Sequence, residues 1–166
     1  MIRVVLDAMG GDRAPAAEID GAALALGELA PDFELILVGK PEVIAPHLDR
    51  HPDIDRRRIS VVPASEVIGM DEKPLQAIRR KRDSSLVVSI ALHAQGKGDA
   101  VVSACNTGAV LAGATVMLGL HEGVERATVA TVLPAPDCFV LVLDAGANVD
   151  CTARELACFA HLGSVY

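Results

Sequence analysis

Short β-branched runs alternate along this chain with longer stretches of helical spacing. Ile2–Leu6 is a compact apolar run that meets Asp7 at once, and it predicts a first strand. Pro15–Leu29, rich in Ala, Leu and Glu, predicts a helix with Pro15 in its first turn. Glu34–Val38, closed by Gly39, and Ile59–Val62 predict the next two strands, with a short helix over Pro41–Leu48 between them. The loop Ala64–Pro74 is punctuated by Gly69 and Pro74, and a basic helix is expected after Pro74. Ser84 is placed to cap a helix over Ser85–Gln95, which Gly96-Lys97-Gly98 stops. Ala100–Ser103 predicts a strand. Thr107–Leu120 predicts a helix that is apolar on nearly every side and is therefore expected to be buried. Thr128–Leu133 and Phe139–Leu143 predict two strands, and Thr152–Leu162 a final helix.

This β-α repetition predicts an α/β fold whose sheet is mostly parallel and carries helices on both faces. The link between Thr128–Leu133 and Phe139–Leu143 is too short for a helical crossover, so that pair is expected to be antiparallel. No internal repeat, low-complexity tract or linker interrupts the 166 residues, and one α/β domain over 1–166 is the expectation.

Composition sharpens this picture. Hydrophobic residues make up 51% of the chain, but aromatic residues only 2%. The core must be built of Val, Leu, Ile and Ala, as in buried parallel strands covered by helices. No apolar run reaches the roughly 18–20 residues of a membrane span, and the start lacks the long apolar region of a signal peptide. The sequence is read as cytosolic. A net charge of -7 argues against general nucleic-acid binding. Against that average stands a basic run, Arg79-Arg80-Lys81-Arg82. The cysteines at 105, 138, 151 and 158 have no CxxC or zinc spacing, and no metal site is expected. The five histidines lie outside the glycine-bearing segments, and no Ser/His/Asp order or nucleophile elbow is present.

Three polar segments follow strands, where open α/β sheets place their ligands: Asp7–Asp12 (DAMGGD), Ser103–Ala109 (SACNTGA) and Asp144–Asp150 (DAGANVD). On this reading all three can face one crevice. The second is the best anion site, because Asn106, Thr107 and Gly108 open a helix whose first N–H groups and dipole favour phosphate. Asn106 and Thr107 add side-chain donors. An ordinary helix cap explains the same residues. In the first segment Gly10 and Gly11 allow tight turns, while Asp7 and Asp12 orient donors or move protons; a plain turn with Asp12 as a helix cap is the alternative. In the third, Asp144 and Asn148 stand beside Gly146. A metal site on Asp144 and Asp150 finds no supporting ligand spacing. Lys73, Arg79, Arg80 and Lys81 suit phosphate or an acidic surface, although charge runs are more often solvated helix faces.

Taken together, VVLDAMGGDRAP, ASEVIGMDEKP, IRRKRDSS, VVSACNTGA, ATVLP, LVLDAGANVDC and GSVY occur in an order that resembles the PlsX family of phosphate acyltransferases across the whole chain. The resemblance implies an α/β/α sandwich with a Rossmann-like, mostly parallel sheet. It implies transfer of a fatty acyl group from acyl carrier protein to inorganic phosphate, feeding a downstream acyltransferase of phospholipid synthesis. It also implies a homodimer, peripheral membrane association and no organic cofactor. Phosphate would lie on residues 105–108 with Gly10 and Gly11. Asn106, Thr107, Asp144 and Asn148 would act in catalysis. Lys73, Arg79, Arg80 and Lys81 would receive the carrier protein.

Two departures qualify the resemblance. Cys105 stands where the family pattern has glycine. If that position required positive φ, the substitution would cost roughly 1–2 kcal/mol; in an extended conformation the thiol is tolerated. A nucleophilic Cys105 is the less favoured alternative. Family chains also continue beyond the position of Tyr166, so the sequence is expected to be an N-terminal half. The competing expectations are a phosphotransacetylase-like enzyme that uses acyl-CoA, and a half that only binds or completes another chain.

Overall fold

The computed structural model describes residues 1–166. They divide into two units, Met1–Leu118 and Gly119–Tyr166.

In the first unit, strands β1 (Ile2–Asp7), β2 (Phe33–Gly39), β3 (Ile59–Pro63) and β4 (Ala100–Val102) form one parallel sheet in the order β3-β2-β1-β4. Val4 lies opposite Leu35 on one side and Ala100 on the other, and Leu6 opposite Leu37 and Val102. Side chains alternate across a strand, so β1 serves two cores. Val4 and Leu6 pack with Ile19, Ala22 and Leu26 of helix α1 (Ala16–Glu28) and with Ile44 and Leu48 of α2 (Pro41–Leu48). Val5 faces the other way, toward Val38, Ala64 and the α4 (Ser85–Ala94) residues Val88 and Leu92. Helices thus cover both faces of a Rossmann-like parallel sheet, as the β-α repetition predicted.

A third cluster joins α3 (Pro74–Arg80), α4 and α5 (Thr107–Leu118) through Ile78, Ile90, Cys105 and Ala109. Ser84 caps α4 as predicted, accepting from the Val87 amide. The helix expected to be buried all round is not: α5 buries only Ala109 and Gly113, while Val116 and Leu118 are exposed. Its apolar sequence reports what it is able to bury, and within this unit α3 and α4 supply one covering face. Gly113 permits that approach, since a Cβ there would lie 2.7 Å from Ile90 Cδ1 and 3.2 Å from Ile78 Cδ1.

In the second unit, β5 (Thr131–Pro134) and β6 (Phe139–Val142) form the expected antiparallel pair, with Val132 opposite Leu141. The first strand starts three residues later than its β-branched run suggests. Thr128 and Val129 instead give a hydroxyl and an amide to the Asp144 carboxylate. Helix α6 (Ala153–Val165) opens on a capping box in which Thr152 and Glu155 satisfy each other's backbone amides.

Candidate functional site

Because β1 and β4 are neighbours, the segments that follow them emerge side by side at the carboxyl ends of the strands. Asp7 ends β1 and is fully buried. One carboxylate oxygen accepts the Met9 amide at 3.2 Å, and the other accepts the Ser103 hydroxyl at 2.7 Å. The Ser103 oxygen in turn accepts the Cys105 amide at 3.1 Å. Gly10 lies directly on this pair: a Cβ there would collide with Asp7 Oδ2 and come within 3.0 Å of Ser103 Oγ. Neither Gly10 nor Gly11 has positive φ, so the double glycine is needed for close approach, with Gly11 set against Glu18. Asp12 is exposed and caps nothing; α1 opens on Pro15 without a side-chain cap.

Asn106 caps α5, its Oδ1 accepting the Ala109 amide at 3.1 Å. Its Nδ2 donates to the Met70 carbonyl at 2.7 Å and so ties the charged loop to the helix start. The side-chain donor expected to serve phosphate is therefore already engaged. The backbone amides of Thr107 and Gly108 have no partner within the chain, and Thr107 is exposed. These are the first N–H groups of a helix, which the helix itself leaves unpaired and which bear the positive end of its dipole.

Cys105 is buried at 6% exposure, with its Sγ 3.7 Å from the Ile68 carbonyl. No residue other than glycine has positive φ, so replacing the family glycine carries no left-handed strain. Burial, reinforced by the charge of Asp7, pushes the thiol up from 9.0 to about 11, against a smaller opposing effect of the Asn106 amide. A group held protonated under the loop is a poor nucleophile. Cys105 belongs to the floor of the loop that leads into α5.

The basic residues separate into two kinds. Lys81 donates to the Val67 carbonyl at 2.6 Å and pairs with Glu72. Glu72 also accepts the Gly69 amide at 2.6 Å; that bond first, and Lys81 second, hold its carboxyl below the usual range. Lys81 thus fastens the loop. Lys73, Arg79 and Arg80 are exposed and make no ion pair within the chain.

In the second unit the Asp144 carboxylate accepts from the Ala147 amide at 2.6 Å, the Asn148 side chain at 2.7 Å and the Thr128 hydroxyl at 3.1 Å. Burial pushes Asp144 up, but the bonds from Asn148, Ala147 and Thr128 together outweigh it and hold the carboxyl low. Asn148 also donates to the Ala127 carbonyl at 2.9 Å and accepts from Arg126 at 2.6 Å. Arg126 continues to the Asp150 carbonyl at 2.8 Å and to Glu155 at 3.2 Å. Sequence reasoning missed Arg126. A lone arginine in a glycine-rich region gives no periodic or motif signal, and only the loop's return past it assigns a role. Ser103 lies in the polar segment Ser103–Ala109 that the sequence marks, but nothing local to it signals the bond to Asp7.

Residues 2–166 match the family described as "Fatty acid synthesis protein". The chain belongs to that family. It is 48% identical over 166 residues to a phosphate acyltransferase of Desulforamulus reducens, covering 100% of this chain and 49% of the relative. It is 44% identical over 165 residues to one of Heliobacterium modesticaldum, with 99% and 49% covered. It is 46% identical over 164 residues to one of Alkalilimnicola ehrlichii, with 99% and 48% covered. The chain therefore spans about half the length of these curated relatives. No helix is long and apolar enough to cross a membrane.

Proposed function

We propose that this chain carries the anion-binding part of a phosphate acyltransferase that joins a fatty acyl group from acyl carrier protein to inorganic phosphate. The observation that carries this reading is the pair of unpartnered amides at Thr107 and Gly108, presented at a helix start by a loop locked to the end of β1. The relatives' name supplies the reaction class. Phosphate held on these amides attacks the thioester carbonyl carbon. A C–O bond forms, the C–S bond breaks, and the electron pair leaves on the carrier's thiolate, giving acyl phosphate. A thiolate is a good leaving group, which reduces the need for a strong general base. Preorganised N–H groups serve such chemistry because they need no reorientation as charge moves.

Asn106 acts by capping, Cys105 as floor, and Gly10 and Gly11 by letting the two loops close on each other. The free cations Lys73, Arg79 and Arg80 suit the acidic surface of a carrier protein, where charge raises encounter rates. Asp144 and Asn148 act by shaping their own loop, since all their polar atoms are engaged. A cytoplasmic homodimer with peripheral membrane contact and hand-over to a downstream acyltransferase belongs to the same reading. The test is acyl phosphate formation with acyl carrier protein and CoA esters as donors at equal concentration. Clear preference for the CoA ester replaces this reading by a phosphotransacetylase-like one. A second reading draws on the chain's share of its relatives' length: a half whose activity emerges only when the complementary part of a relative is added.

A further inference from the structure

The path from Cys105 to Asp7 has a fixed direction. Both oxygens of the buried Asp7 carboxylate accept, one from the Met9 amide and one from Ser103. The Ser103 hydroxyl must therefore spend its single proton on Asp7. Its oxygen is left as an acceptor, and the Cys105 amide fills it at 3.1 Å. The Cys105 amide is thereby withdrawn from any anion, and the turn is set so that Thr107 and Gly108 carry the free amides. Gly10 lies against the pair without a side chain, where a Cβ would collide with Asp7 Oδ2.

We propose that Ser103 is a positioning residue, oriented by Asp7, that sets the backbone at residues 105–108 for an oxyanion without touching it. This rests on the reading of Thr107 and Gly108 as the phosphate site and adds the device that aims them. Without the hydroxyl, the Cys105 amide loses its acceptor and the turn is free to rotate that amide outward. A buried carboxylate oxygen also loses its donor, which favours rearrangement around Asp7.

The test is a titration of the chain with inorganic phosphate, followed through the backbone amide NMR shifts of residues 105–108, for wild type, Ser103→Ala and Ser103→Thr. Circular dichroism and melting temperature are recorded on the same samples. The expected result is that Ser103→Ala binds phosphate roughly tenfold more weakly, the scale of one lost orienting hydrogen bond, with the Cys105 amide now among those that shift. Ser103→Thr, which keeps the hydroxyl, restores wild-type binding. A purely architectural serine would lower the melting temperature and leave phosphate affinity and the pattern of shifting amides unchanged, and that result overturns the positioning role alone. If wild type itself shows no shift at Thr107 and Gly108, the phosphate site falls and the positioning role falls with it.

Discussion

Raising the pH from 8 to about 11 should destabilise this protein through Cys105 in particular. The thiol is buried and titrates at about 11 instead of 9.0, because ionising it would place an anion in an apolar cluster near Asp7. In the unfolded chain the thiol loses its proton near the ordinary value. Between the two values the folded state binds more protons than the unfolded state, so stability falls as pH rises. Below about 9 the contribution is fully present, and above about 11 it is gone. Two pH units correspond to at most about 2–3 kcal/mol. Other groups titrate in the same range, so the measurement is a difference: urea denaturation of wild type and Cys105→Ala at steps from pH 8 to 11. Wild type is expected to lose more stability than the variant, with the gap opening above pH 9. Alkylation provides a second readout. At pH 8 ionisation alone makes Cys105 about a hundredfold less reactive than an ordinary thiol, and Cys138, which is exposed, serves as the internal reference. Modification of Cys105 as fast as Cys138 in folded protein at pH 8 would mean that the loop's floor is not a protonated thiol.

Further outcomes follow from the same contacts. Lys81→Ala should lower the melting temperature by releasing Val67 and Glu72, whereas Arg79→Ala/Arg80→Ala should leave it unchanged and weaken acyl carrier protein binding at low salt; calorimetry and salt-dependent binding separate the two. Asp144→Ala should free several donors at once and cost about 1–3 kcal/mol, read by denaturation or as early loss of amide protection at Ala147 and Asn148. Exposed Val116 and Leu118 on α5, with Val102 at the β4 edge, predict concentration-dependent self-association; a single monomeric species in sedimentation at all concentrations would count against it.

Strand and helix order was legible because the apolar periods of β1, β2 and α1 are set by burial, and burial acts on every residue of an element. The places of the polar segments were legible too, since they interrupt that period just after strands. The division of labour inside them was not. Asn106 looks like a phosphate donor until the return of Met70 gives its amide a partner. Lys81 looks equal to Arg79 and Arg80 until Val67 and Glu72 close on it. These contacts join residues 9 to 96 positions apart in the chain, as in Lys81–Glu72 and Ser103–Asp7, and no local pattern encodes them. The exposed side of α5 was unreadable for a related reason: an apolar sequence states a capacity to be covered, not the presence of a cover.

The meeting of Gly108 with Pro74 makes what position 108 can hold depend on position 74. A Cβ at residue 108 would lie 2.7 Å from Pro74 Cγ, within the first turns of α5 and α3 respectively. The constraint runs one way through descent: an alanine at 108 should be poorly tolerated while Pro74 is present and relieved when Pro74 becomes alanine, whereas Pro74→Ala beside Gly108 meets no such clash. A double-mutant cycle on thermal stability would measure that coupling, and related sequences with a side chain at 108 should lack proline at 74.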